Sequence, residues 1–343
     1  MGSDMSDRHT STMDYVYTSG AHMTKHLQEQ FDGYDRFFSW VTSAGDPSRT
    51  FMWLYPLVFP LHHPLGVRIF VATSCSDFLN VAIKWVLNEH RPFWYVKMHA
   101  DINVQLAQTP LTCETGPGSP SGHVMVTAAV WFVVIRYAIR WAEQNRKRRN
   151  RYLRGVVWTS YCVFLTLVGA SRVFIGAHFP HQVVLGLAIG VATGYVLDGL
   201  DVDEWGFREY ASLSGLIALT CSTTFCALTA LGLDPQHTVK LALQACDDPR
   251  YVNISTTVLY GMMRGIAAPL GLGYALSRPS APKVLAGARR APVWVKLLAG
   301  FFFFAFAVGY GVPYVLYKNY RQVNPPLKPC TKKGAESSSS DED

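Results

Sequence analysis

The sequence predicts an all-α protein, a polytopic transmembrane helical bundle of eight or nine spans flanked by two polar segments. Three observations predict it. Apolar residues make up 49% of the 343 positions, an ordinary share, but they collect in blocks of about 20, the length that crosses a hydrocarbon layer. Most charges fall between the blocks, as expected where a central charge in lipid costs about 3 kcal/mol. The basic residues between blocks are also unevenly shared, which sets an orientation.

Residues 1–36 form a polar N-terminal segment with no apolar run of the signal-peptide kind. The spans occupy residues 37–317, at roughly 47–63, 67–88, 122–141, 153–171, 180–198, 210–232, 256–276 and 293–317. The first carries Pro56 and Pro60, and its start is open as far back as Phe37. Gly and Pro within the others are normal for membrane helices. The loop after the third span holds Arg146, Lys147, Arg148, Arg149, Arg151 and Arg154. The loop after the seventh holds Arg278, Lys283, Arg289, Arg290 and Lys296. Both are expected in the cytosol. The sparsely basic loops after spans two, four and six then face the lumen or the outside. Acids contribute little to orientation, so Asp198, Asp201, Asp203 and Glu204 after the fifth span do not change it. The tail, 318–343, is polar and ends in a serine and acidic run, a composition expected to be disordered. Eight spans put both termini on the luminal side. Nine put the tail in the cytosol, which suits Lys318, Arg321 and Lys328.

The net charge of +7 fits cytosolic loops better than nucleic-acid binding, since no zinc-finger spacing or aromatic and basic groove accompanies it. The seven cysteines are scattered without a CxxC, which argues against a metal cluster.

Three patches carry chemistry, all on the non-cytosolic side. Lys84 and Arg91-Pro92 close the second span. Seven residues are nearly two turns, so the two cations share a face about 10 Å apart, and Pro92 marks a helix exit. They read either as an anion site or as cations reaching for the interface. Gly116-Pro117-Gly118-Ser119-Pro120-Ser121-Gly122-His123 leads into the third span. A glycine-rich turn at a helix N-terminus offers free backbone N–H groups to a phosphate, with His123 placed for proton exchange. The other reading is a flexible loop with an incidental histidine. Ser171-Arg172 and His178-Phe179-Pro180-His181-Gln182 open the fifth span. Pro180 suits a first-turn position, and Arg172 offers forked donors matched to phosphoryl oxygens.

Weaker candidates surround these. Asp77 lies inside the second span, where an acid is a functional hypothesis by default; the alternative is a packing partner. Arg264, in the seventh span, reads as an interfacial arginine or as a neighbour of the substrate. Asp46, near the luminal start of the first span, is a candidate for a substrate contact. His62 and His63 are expected to be solvated on the cytosolic side. Cys113 and Cys246 both fall in luminal loops, where a disulfide is allowed. Asn253-Ile254-Ser255 is a glycosylation sequon.

Together, Lys84 through Arg91-Pro92, Pro120-Ser121-Gly122-His123 and Ser171-Arg172 with His178 resemble the three-part signature of the type-2 phosphatidic acid phosphatase and vanadium haloperoxidase superfamily. Gln182 stands where that superfamily usually has Asp; its carbonyl can still accept the ring N–H of His178, without the charge. The strings Thr112–His123 and Ala177–Gln182 resemble the glucose-6-phosphatase catalytic subunit family, including its Gln. The likeness runs from about residue 37 to 276.

The resemblance implies a helical phosphatase core and hydrolysis of glucose 6-phosphate to glucose and phosphate at the luminal face of the endoplasmic reticulum membrane. It implies that His178 is the nucleophile and forms a phosphohistidine, that His123 handles the leaving-group and water protons, and that Lys84, Arg91, Arg172 and the N–H groups near Ser121 and Gly122 hold the phosphoryl oxygens. These cations replace the metal ion of many other phosphatases, so no cofactor or metal is expected. The partners implied are the substrate, membrane lipid and a transporter delivering glucose 6-phosphate, with no nucleic acid. Two rival readings are a lipid phosphate phosphatase of the same superfamily and a non-enzymatic sugar-phosphate carrier.

Overall fold

A computed structural model describes residues 3–146 and 151–306, which form helices, turns and loops with an isolated β-bridge between Glu114 and Asn253. The basic run 147–150, the end of the last expected span and the tail 318–343 lie outside the described residues.

The chain begins with α1, Ser3–Gln30, followed by α2, Asp35–Ala44. The polar N-terminal segment is thus a long helix. Its Tyr17, Ala21 and Thr24 are buried at i, i+4, i+7 spacing. Tyr17 packs on Tyr95 and Phe179, with ring centroids 5.1 Å apart in both pairs. This stripe joins Phe93, Trp94, Val252 and the Cys113–Cys246 disulfide in one apolar cluster.

The first expected span is not one regular helix. It runs as α3, Pro47–Arg49, a π-helical turn, Thr50–Leu54, and α4, Tyr55–Leu61. Pro56 and Pro60 each lack an N–H, which breaks the regular ladder. His62 and His63 are half-buried rather than solvated, with His62 edge-on to Tyr137.

The second span is α5, His63–Leu87, which stops at Asn88 in the left-handed conformation (φ 45°). Arg91 is extended (φ −103°, ψ 155°), as the residue before a proline must be. Pro92 opens a short helix, α6, Pro92–Met98. The expectation that Pro92 ends a helix shared by Lys84 and Arg91 is therefore corrected: proline is placed at the first helical position, where its missing N–H costs nothing.

After a long loop come α7, Gly122–Arg146, α8, Arg151–Phe174, α9, Pro180–Asp198, and α10, Phe207–Ala230. Then follow α11, His237–Ala245, α12, Val258–Ser277, α13, Ala281–Arg290, and α14, Val293–Phe306. Among the described residues, five helical stretches are long and apolar enough to cross a membrane: 63–98, 122–144, 151–174, 180–198 and 207–230. Only 22% of the apolar window of α8 and 17% of that of α10 are buried inside the protein. Apolar helices with so little protein cover suit lipid contact.

The bundle is centred on α7, packed against α9 and α5, while α12 bridges α5 and α10. Gly186, Gly190 and Gly194 form a small-residue stripe on α9. A Cβ at Gly186 would meet Ser121 O at 2.7 Å, and one at Gly194 would meet Ala129 O at 2.9 Å. The stripe brings the backbones together and sets the start of α7 beside the start of α9.

Candidate active site

Four chain segments converge at one end of the bundle. They are the last turn of α5 with the turn to Arg91, the 112–123 loop entering α7, the last turn of α8, and the 177–182 loop entering α9. Lys84, Arg91, Ser121, Arg172, His178 and Gln182 are all buried there.

Arg91 is the hub. Its Nε donates to Gly116 O (2.6 Å), its Nη2 to Pro117 O (3.0 Å) and its Nη1 to Ala177 O (2.9 Å). One guanidinium thereby ties the glycine-rich loop to the His178 loop. Ser121 N donates to Gln182 O (3.0 Å), and Asn80 Nδ2 donates to Pro120 O (3.0 Å). The entry to α7 is so braced by α9 and α5.

The His178 ring is held by a backbone carbonyl, with Nδ1 2.7 Å from Gly118 O. A carbonyl only accepts, so Nδ1 carries the proton and Nε2 presents its lone pair. Nε2 faces Arg91 Nη1 at 3.3 Å. Burial first, then Arg91 and Arg172, push the His178 pKa well below the usual histidine range, which favours the neutral ring. The carbonyl expected from Gln182 is supplied instead by Gly118. Gln182 Oε1 accepts from Phe179 N (3.1 Å), and its Nε2 donates to His90 O (2.7 Å) and Glu89 (3.0 Å). It closes the first turn of α9 and fastens it to the Arg91 turn, since a side chain at the third helical position reaches back naturally to the cap.

Glu114, which sequence reasoning did not single out, sits among these groups. It pairs with Arg91 Nη1 (2.8 Å) and Arg172 Nη2 (2.5 Å), and lies 3.7 Å from His178 Nε2 and 3.8 Å from His123 Nδ1. Burial opposes its ionisation, but Arg172 and Arg91 outweigh burial and hold its carboxyl well below the usual range. Its signal was an acid inside a loop otherwise suited to anions. Glu89 and Thr42 were also missed: Glu89 holds His181 (2.8 Å), and Thr42 Oγ1 accepts from Arg172 Nη1 (2.9 Å).

A cavity of about 110 Å³ opens beside this cluster, lined by Lys84, Glu114, Gly122, His123 and Arg172. Its wall also carries Asp46, Asp77, Asn80, Asn253 and Arg264, alongside the apolar Val81, Leu111 and Val258. Asp77 receives a forked pair of bonds from Arg264 (2.8 and 3.0 Å). Asp46 caps α3 through Ser48 N (2.8 Å). Asn253 is exposed at the rim, and its N–H donates to Cys113 O (2.9 Å), beside the Cys113–Cys246 disulfide. The structure thus gathers every candidate of the three patches, with Asp46, Asp77 and Arg264 on the cavity wall.

A buried imidazole whose Nε2 lone pair faces Arg91, with a second histidine and three cations beside one small cavity, can bind and attack a phosphoryl group. The class follows from comparison: residues 65–198 match the model of the PAP2 superfamily. The chain belongs to the glucose-6-phosphatase family. It is 38% identical over 271 residues to glucose-6-phosphatase 3 of Rattus norvegicus, covering 78% of each chain. It is 32% identical over 279 residues to glucose-6-phosphatase catalytic subunit 1 of Haplochromis nubilus, again 78% of each, and 31% identical over 278 residues to glucose-6-phosphatase 2 of Homo sapiens, 77% of each. No solved structure matches the chain.

Proposed function

We propose that this protein hydrolyses glucose 6-phosphate to glucose and inorganic phosphate through a phosphohistidine on His178. The observation that carries this reading is the His178 ring, fixed by Gly118 O with Nε2 turned toward the Arg91 and Arg172 cluster. Nε2 bonds to phosphorus as the bond to the sugar oxygen breaks, and His123 gives that oxygen its proton. Water then attacks phosphorus, His123 takes a proton from it, and the phosphorus–nitrogen bond breaks to free phosphate and the neutral ring. Lys84, Arg91 and Arg172 bind the phosphoryl oxygens, joined by the N–H group at Gly122 and by the side chain of Ser121, whose own N–H is held by Gln182 O. Ser121 Oγ and Arg172 Nε are buried with no hydrogen-bond partner. Such groups cost about 1–3 kcal/mol each unless a ligand satisfies them, which supports an anion here.

The polar side chains on the cavity wall suit a sugar, and Asp46, Asp77 and Arg264 are the candidates to meet its hydroxyls. We place the site at the luminal face of the endoplasmic reticulum membrane in a bundle of eight or nine spans, with a transporter supplying substrate and Asn253 open to glycosylation. Phosphate release by the purified protein from glucose 6-phosphate, compared with phosphatidic acid in detergent, tests the reading. Release from the lipid alone would assign the lipid branch, and binding without release would assign a carrier.

A further inference from the structure

The phosphoryl group in this reaction has to lie next to His178 Nε2, against the guanidinium groups of Arg91 and Arg172, and within reach of His123. That position is filled. The Glu114 carboxylate bonds Arg91 and Arg172 and stands 3.7 Å from His178 Nε2 and 3.8 Å from His123 Nδ1. A carboxylate and a phosphate dianion cannot share this space, for steric reasons and because like charges at such distances repel strongly in a buried site.

We infer that Glu114 is a built-in occupant of the phosphoryl subsite, holding the two arginines in the empty enzyme and leaving by side-chain rotation when a phosphoryl group binds. The inference rests on the functional reading above. The backbone on either side of Glu114 is pinned. Thr112 Oγ1 donates to Ile175 O (2.7 Å), Thr115 N donates to Thr256 Oγ1 (2.9 Å), and Cys113 is disulfide-bonded to Cys246. The loop therefore stays while the side chain moves. The space for it is the adjoining cavity, which Glu114 itself lines together with Asn253, Ser255 and Thr256. The arrangement has a use in catalysis. Unpaired buried guanidinium groups are costly, so an internal anion keeps the cluster preorganised between turnovers. It also competes with phosphate, which loosens product binding.

The test uses the full-length protein in detergent, with orthovanadate and inorganic phosphate as probes. If the state with Glu114 displaced is a tenth or less of the empty enzyme, removing the competitor tightens oxyanion binding about tenfold or more. Glu114→Ala and Glu114→Gln are therefore expected to bind vanadate at least about tenfold tighter than the natural protein. Glu114→Gln keeps the shape and hydrogen-bonding capacity, so one variant retains packing if the other unfolds. Acetate separates displacement from bracing: in Glu114→Ala it refills the vacated site and competes with vanadate. A fixed brace predicts the reverse, with weaker binding in Glu114→Ala and restoration by acetate. A vanadate complex of the natural protein should have Glu114 off Arg172; a vanadate held with that pair intact overturns the inference. If the natural protein turns over glucose 6-phosphate but neither variant gains affinity, only the role of Glu114 fails. If neither the natural protein nor the variants bind either oxyanion, the functional reading fails and takes this inference with it.

Discussion

Two clusters of ion pairs stand at opposite ends of α5, and they differ in charge balance. At the far end, Arg68 pairs with Asp201 and Asp203, while Arg136 and Arg140 both hold Asp198. Three arginines meet three aspartates. At the other end, Lys84, Arg91 and Arg172 surround a single carboxylate, Glu114. The other acids nearby are engaged elsewhere: Asp77 with Arg264, Glu89 with His181, and Asp46 as a helix cap. A balanced cluster is completed by folding. A cluster with surplus buried cations is completed by an anion from outside, because uncompensated buried charge is costly. The first is read as structural and the second as a site, although both consist of the same residue types.

The largest effect that tests this contrast is at His178. His178→Ala should lower turnover of glucose 6-phosphate by on the order of 10⁴–10⁶, as expected for loss of a nucleophile acting within a set. Rapid quench at alkaline pH should trap label on His178 of the natural protein, and none on the variant. Label on His123, or persisting label on His178→Ala, would reverse the assigned roles.

Next comes His123→Ala, with an expected loss on the order of 10²–10⁴ for glucose 6-phosphate. The alkoxide leaving group of a sugar needs the proton more than p-nitrophenolate does. The loss on p-nitrophenyl phosphate should therefore be clearly smaller. Equal losses on both esters would mean that His123 binds substrate rather than handling protons.

At the balanced end, Arg68→Ala should act on stability alone. Arg68 is 8% exposed, and its partners Asp203 and Asp201 are 20% and 79% exposed, so the cost falls below that of a fully buried pair, at about 2 kcal/mol. Thermal unfolding in detergent should shift down while KM for glucose 6-phosphate is unchanged. A changed KM with an unchanged melting point would place Arg68 in a functional site and erase the distinction between the two clusters.

Much of the site was legible in the sequence because its parts are short and ordered along the chain: Lys84 with Arg91-Pro92, Pro120 to His123, and Arg172 with His178. What escaped depends on long-range contact. Glu114 meets Arg91 and Arg172 only after three segments have folded together, and no local spacing reports that. Gln182 looked like a partner of His178 because it stands where the superfamily usually has an Asp. The cap geometry of α9 turns its side chain back to Phe179 N and the Arg91 turn instead. Pro92 was read as an ending, whereas the left-handed Asn88 had already ended the helix and proline began the next one. In α1 the pattern of Tyr17, Ala21 and Thr24 was present, but a helix so polar overall shows only a narrow stripe. Most of the span blocks were plain from composition. The first was ambiguous because Pro56 and Pro60 interrupt it, and the structure divides it there.

The smallest effect expected is on the acid limb of the pH profile. In the proposed reaction the attacking form of His178 is the neutral ring, so activity falls when the ring takes up a proton. A solvated histidine does so near pH 6.5. Here burial, Arg91, Arg172 and Lys84 all oppose the charged form, and only Glu114 favours it, with the net direction downward. The nucleophile should stay neutral through pH 6.5 and lose activity only at more acid pH. A plot of kcat/KM for the natural protein should therefore show little loss, less than about threefold, between pH 7 and pH 6 from this group. In Glu114→Gln the one group favouring the cation is gone, so any acid limb from His178 should move further down in pH. An acid limb at or above pH 6.5 that follows His178, or one that moves upward in Glu114→Gln, would mean that Glu114 does not face the ring in the working enzyme.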